Sequence, residues 1–161
     1  MKKNILLIIL CFFFSFIKAQ EGNQLNEMIN ESLIAYLDNI NKYVEKGIIV
    51  KDYPEKLHIV IDVYPLNFLF NDSILRMKLN YISLTNLNPY KQKLKKGVSV
   101  ILLDGIKLRD NQLIITFSSR YAKLKKGNNL HLIISDWGNF TYEYSCEKQK
   151  WILTETKYGG I

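Results

Sequence analysis

The spacing of apolar residues changes once along this chain, near Gly47, and that change limits the folds open to it. Upstream, in "NQLNEMINESLIAYLDNINKYVEKG", Leu25, Ile29, Leu33, Tyr36, Leu37, Ile40, Tyr43 and Val44 recur at helical spacing and predict one long amphipathic helix. Asn23 suits its N-cap and Gly47 its stop, while Glu27 and Glu31 toward the start and Lys42 and Lys46 near the end complement the macrodipole. Downstream the period is two. In "LHIVIDVY", Leu57, Ile59, Ile61 and Val63 share one face, and Pro65 ends the strand.

The alternation continues to the end of the chain. "LNFLF" and "ILRMKLNYI" flank Asn71, Asp72 and Ser73 and read as a hairpin. "VSVILL" is apolar on both faces, as a central strand would be, and Asp104 with Gly105 spells a tight turn into "IKL". "QLIITF", "LHLIIS", "FTYEYSC" and "WILTETKY" complete a mostly antiparallel sheet. The fold class expected is therefore α+β: a long N-terminal helix on a curved, mostly antiparallel sheet with two short helices. A helix laid across such a sheet is also the shape of cystatin-like and nuclear-transport-factor-like folds, an analogy of architecture that carries no function.

The first nineteen residues read as something other than fold. Lys2 and Lys3 precede an apolar run from Ile5 to Ile17 broken only by Ser15, and Ala19 supplies a small residue at a cleavage point. This is the layout of a secretory signal peptide, too short to span a bilayer comfortably. Leu10 before Cys11, and the apolar residues after it, argue against a lipidated cysteine. Residues 20–161 are then expected as a single α+β domain without a transmembrane helix, in a bacterial periplasm or outside the cell. Losing Lys2, Lys3 and Lys18 lowers the formal charge from +7 to +4. The basic residues that stay are concentrated: between Lys91 and Lys126 there are ten Lys or Arg and only two acids, Asp104 and Asp110.

Within that stretch "KLKKG" occurs twice, at 93–97 and 123–127. Two readings fit. In one, each copy ends a helix of about two turns, with Asn88 and Pro89 or Ser118 and Ser119 at its start and Gly97 or Gly127 at its stop. Tyr90 and Leu94, or Tyr121 and Leu124, would pin each helix to the sheet. In the other, Lys93, Lys95, Lys96, Lys123, Lys125 and Lys126 face one way and form a surface that attracts anions. In the envelope those would be acidic lipid headgroups or acidic glycans; an exported protein seldom meets nucleic acid.

Catalytic and metal chemistry have little to stand on. Cys146 is the one cysteine after the signal, so an intramolecular disulfide and a multi-thiolate zinc site are excluded by count. Cys146 with His58 or His131 and Asp62 or Asp136 holds the residue types of a nucleophile, base and orienter. Yet Cys146 continues the aromatic face of Phe140, Tyr142 and Tyr144, where a cysteine reads as an inert buried hydrophobe. HExxH, P-loop and GxGxxG patterns are absent, and no cofactor is implied. Triplets of the N-x-S/T type at Asn30, Asn71 and Asn139 read as chance, with Asn30 in mid-helix. "SDWGNF" reads as a loop presenting Trp137 to a sugar ring or a protein partner, or folding it back over the sheet edge; Trp151 reads as core.

The function expected from all this is an exported, non-enzymatic binding or accessory domain of the bacterial envelope. The alternatives are a small envelope hydrolase using His and carboxylate in a sheet-lined pocket, and a protein inhibitor or assembly partner with an apolar patch near Trp137.

Overall fold

The structure, a computed structural model, describes residues 2–47, 58–60, 80–81, 86–126 and 129–160, with side chains described for 24–47, 86–126 and 129–160. Helix α1 spans Lys2–Glu45. Two short strands follow, β1 (His58–Val60) and β2 (Asn80–Tyr81), then a 3-10 turn at Asn88–Tyr90 and helix α2 (Lys91–Lys96). Strands β3 (Val98–Arg109), β4 (Gln112–Leu124), β5 (Leu130–Ser145) and β6 (Lys150–Gly159) close the chain. They form one sheet in the order β2-β1-β3-β4-β5-β6. The meander from β3 to β6 is antiparallel, whereas β1 pairs in parallel with both β2 and β3. The hairpin turn expected at Asn71–Ser73 lies outside the described residues.

The sheet is packed on both faces, and β3 is apolar for that reason. Ile101 and Leu103 join the core under α1 with Ile115, Phe117, Phe140 and Tyr142 of the other strands and Ile29, Leu33, Tyr36, Leu37 and Ile40 of the helix. Val100 and Leu102 point the other way, into a smaller core with Leu94 of α2 and Ala122 and Leu124 of β4. The apolar stripe of α1 faces this core as its spacing predicts, and each of its fully buried large residues is worth roughly 1.5–3 kcal/mol. An aromatic ladder holds the helix to the sheet: Tyr36 stacks on Phe117 at 6.1 Å, and Phe117, Phe140 and Tyr158 follow edge-on at 6.4 and 5.9 Å. Gly47, at φ 69°, ends the helical turns as expected. The helix does not begin at Asn23, because nothing from Lys2 onward breaks it.

Three expected turns or helices are strand instead. Asp104 and Gly105 do not turn the chain; Asp104 is the extra residue of a β-bulge between Leu103 and Gly105. The turn falls six residues later at Asp110 and Asn111, with φ of 48° and 65°, the left-handed pair a two-residue hairpin requires. "SSRYAKL" is the second half of β4, where Ala122 and Leu124 point inward and Tyr121 and Lys123 outward. Pairing on both sides, with β3 and β5, holds it extended against any helical preference. "SDWGNF" lies within the single strand β5, bulged at Ser135, so no loop presents Trp137.

Candidate functional site

The first KLKKG copy ends a helix as expected, and the second does not. Lys93, Lys95 and Lys96 occupy the last turn of α2, whose stop is Gly97 at φ 90°. That backbone conformation favours Gly, and its bare Cα leaves room for the Tyr121 ring, whose hydroxyl donates to the Lys96 carbonyl at 3.1 Å. Lys123 is the last residue but one of β4, and Lys125 and Lys126 lie in the connection to β5, where the Lys125 amide donates to the Asn129 carbonyl at 2.9 Å. All six lysines are exposed. The leucines between them, Leu94 and Leu124, are buried in the same small core. Both copies therefore sit at one end of the sheet, where β3 begins and β4 ends. The acid nearest in sequence, Asp104, is already engaged: Arg120 Nη2 meets its Oδ1 at 2.5 Å, and Arg120 Nε donates to Ser118 Oγ at 3.1 Å.

A second polar assembly lies under the C-terminal half of α1. Tyr36, 1% exposed, donates its hydroxyl proton to Asp136 Oδ1, and Ser135 Oγ donates to Oδ2 at 2.8 Å. The Tyr36 proton being committed, the Ser119 hydroxyl 2.8 Å away donates to Tyr36 Oη. The bulge at Ser135 creates this arrangement: it turns Asp136 to the helix side of the sheet, in line with Gly138 and Phe140. Gly138 leaves room for the Tyr36 ring above it. Beside Asp136 opens a cavity of about 170 Å³, lined by Asn39, Tyr43, Asp136, Trp137, Tyr158, Gly159 and Gly160. Trp137 is half-buried, its indole over Gly159. Lysine patch and tryptophan are thus separate features, with no hydrogen bond or ion pair joining them among the described residues. The repeated KLKKG marks the lysines in the sequence; Tyr36, Ser119 and Asp136 are each visible there as a stripe residue, a cap and a carboxylate, but not their meeting across 83 and 100 residues of chain.

A third buried hydroxyl, that of Tyr142, serves the helix alone. It donates toward the Met28 carbonyl at 3.0 Å and Glu31 Oε2 at 3.1 Å, and receives from Ser32 Oγ at 2.9 Å. Burial pushes its proton affinity up, the Ser32 hydrogen bond eases that, and the charge of Glu31 raises it again.

The cysteine-based set is not assembled. Cys146 is exposed in the turn after β5, not buried, because the strand ends at Ser145 before the aromatic face reaches it. His131 is near the opposite end of that strand, roughly 45–50 Å away at the usual rise of a β-strand. The side chains of His58 and Asp62 lie outside the described residues. Trp151 is half-buried, packed on the main core and edge-on to Tyr144 at 5.7 Å. Asn30 is buried and donates to the Asn26 carbonyl at 2.7 Å. Among the described residues no three His, Cys, Asp or Glu side chains cluster as metal ligands, and no helix is long and apolar enough to cross a membrane. In comparisons with known proteins, no family model, no curated protein and no solved structure matches this chain.

Proposed function

We propose that this protein is an exported, non-enzymatic binding or accessory domain of the bacterial envelope, periplasmic or extracellular, whose lysine-rich end contacts anionic lipid headgroups or acidic glycans. One observation carries the reading: Leu94 and Leu124 share one small core, so six exposed lysines from two distant segments are held at the same end of the sheet. A lysine run on a solvated helix needs no such convergence. The layout of residues 1–19 supports export, and the helix-on-sheet arrangement supports a cystatin-like or nuclear-transport-factor-like architecture as the working frame.

The test is sedimentation of residues 20–161 with the source cell's envelope fractions, with anionic lipid vesicles and with an acidic polysaccharide, at about 50 and about 200 mM salt. The vesicle and polysaccharide arms separate the two sources of the anion. Near an anionic bilayer each lysine contributes about 1 kcal/mol, so a Lys95/Lys96/Lys125/Lys126→Gln variant should bind roughly 10²–10³-fold more weakly. Binding that is indifferent to both salt and these lysines would refute the proposal.

A further inference from the structure

We propose that the cavity beside Asp136 binds a compact organic ammonium head group, primary or quaternary. The site stands on different residues from the lysine end and takes the opposite charge, so either can fail without the other.

The carboxylate is the first argument. Asp136 is only 7% exposed, and a buried carboxylate is ordinarily paired with a cation. Among the described residues Asp136 has no Lys, Arg or His partner; its contacts are the hydroxyls of Tyr36 and Ser135. The Tyr36 hydroxyl and the Ser135 hydroxyl, which also lies 3.1 Å from the Ser119 carbonyl, fix the carboxylate in place without neutralising it, and a carboxylate has acceptor sites left for a further donor. The basic residue nearest along β6, Lys157, is already paired with Glu155 at 2.9 Å.

The walls are the second. Tyr43 and Tyr158 line the cavity beside Asp136, and aromatic rings attract cations, alkylated ammonium groups above all. Asn39 and Tyr43 belong to the C-terminal part of α1, the end whose partial negative charge favours cations, Lys42 of its last turn among them. Asp38, one residue before Asn39, adds to that field: the Tyr158 phenol is pushed up chiefly by burial, with the Asp38 charge contributing.

Size is the third. At about 170 Å³ the cavity is smaller than the roughly 300–1,000 Å³ pockets that enclose drug-sized ligands, so it suits one head group and not a whole molecule. Glycine makes the space. At Gly160, φ 93°, a Cβ would stand 2.7 Å from the Ser135 carbonyl, so only a bare backbone can close over the β5 bulge. At Gly159 a Cβ would strike the Trp137 indole, so the backbone there also stays bare.

The experiment titrates residues 20–161 with choline and with ethanolamine. Sodium chloride at equal ionic strength and 3,3-dimethylbutan-1-ol, the neutral carbon counterpart of choline, are the controls. Tryptophan fluorescence and calorimetry read binding. Saturation by at least one of the two amines is expected, with the neutral counterpart at least about tenfold weaker. Asp136→Asn should lower affinity at least about tenfold, and Tyr43→Ala several-fold. Because Asp136 is buried and its replacement puts folding at risk, Asn39→Asp is the second arm: it adds negative charge to the rim and should tighten ammonium binding several-fold. Saturation by neither amine, equal binding of the neutral alcohol, or affinities unmoved by both Tyr43→Ala and Asn39→Asp would each overturn the proposal.

Discussion

Replacing Leu94 with Ala tests whether the two lysine segments are held together by a shared core. Leu94 is fully buried and is the one buried residue of α2. Core Leu→Ala changes cost about 2–5 kcal/mol, more where the site cannot collapse. Here collapse is easy on one side, since α2 has six residues and no helix of that length stands alone. We therefore expect the lower half of the range, about 2–3 kcal/mol. Urea titration followed by tryptophan fluorescence should show a lower midpoint at unchanged slope. The Gly97 amide, which donates to the Lys93 and Leu94 carbonyls at 3.1 and 3.2 Å, should exchange with solvent much faster. Lys95→Ala, on the exposed side, should stay within about 0.5 kcal/mol of the parent. Leu124→Ala, in the same cluster, should couple to Leu94→Ala by about 0.5–3 kcal/mol in a double-mutant cycle. Loss of α2 docking should also weaken anion binding although every lysine is retained. A cost under about 1 kcal/mol with additive Leu124→Ala would mean that the segments do not share a core, and the convergence argument would fall.

Two further outcomes follow from buried and exposed groups. The Tyr142 phenol holds its proton more tightly in the folded chain than its ordinary value of 10, burial being the main cause. Its stabilising contribution is therefore complete below about pH 10 and declines as pH rises above that, by at most about 1.4 kcal/mol per pH unit for one proton. Urea midpoints measured from about pH 9 to about pH 12 should fall less steeply in Tyr142→Phe, and identical slopes would contradict the assignment. Cys146 should react with a thiol reagent in the native protein about as fast as in urea, and Cys146→Ser should leave stability within about 0.5 kcal/mol; protection of the native thiol would place it in the core after all.

Much of the fold was legible where the signal is local. The stripe from Ile29 to Ile40 reads as a helix because one face of it is buried from end to end. "VSVILL" reads as central because Val100 and Leu102 serve one core while Ile101 and Leu103 serve the other. The misreadings occur where two local signals compete and a distant partner decides. Asp104–Gly105 and Asp110–Asn111 both spell turns; the register against β4 makes the first a bulge and the second the hairpin. In "SSRYAKL" the pair Tyr121 and Leu124 fits a helix and the pair Ala122 and Leu124 fits a strand, and only the flanking strands break the tie. The Asp136 assembly was out of reach because its members come from α1, β4 and β5. The one local hint is an acidic residue, Asp136, beside Gly138 inside a run that otherwise favours strand, and that pair spells a loop as readily as a bulge.

The order in which the core closes has a consequence for synthesis. Helix α1 is made first, yet its partners come late: Tyr36 meets Ser119 and Asp136 at separations of 83 and 100 residues, and Met28 meets Tyr142 at 114. Until β5 has been made, the face carrying Ile29, Leu33, Leu37 and Ile40 lacks Phe140 and Tyr142 to cover it. A nascent chain released before Ser145 would carry a sticky, unmatched helix at its head. The strands from Val98 onward pair with sequence neighbours and can zip up by themselves. Docking of the helix is then the late event, the step that joins the two ends of the chain into one core.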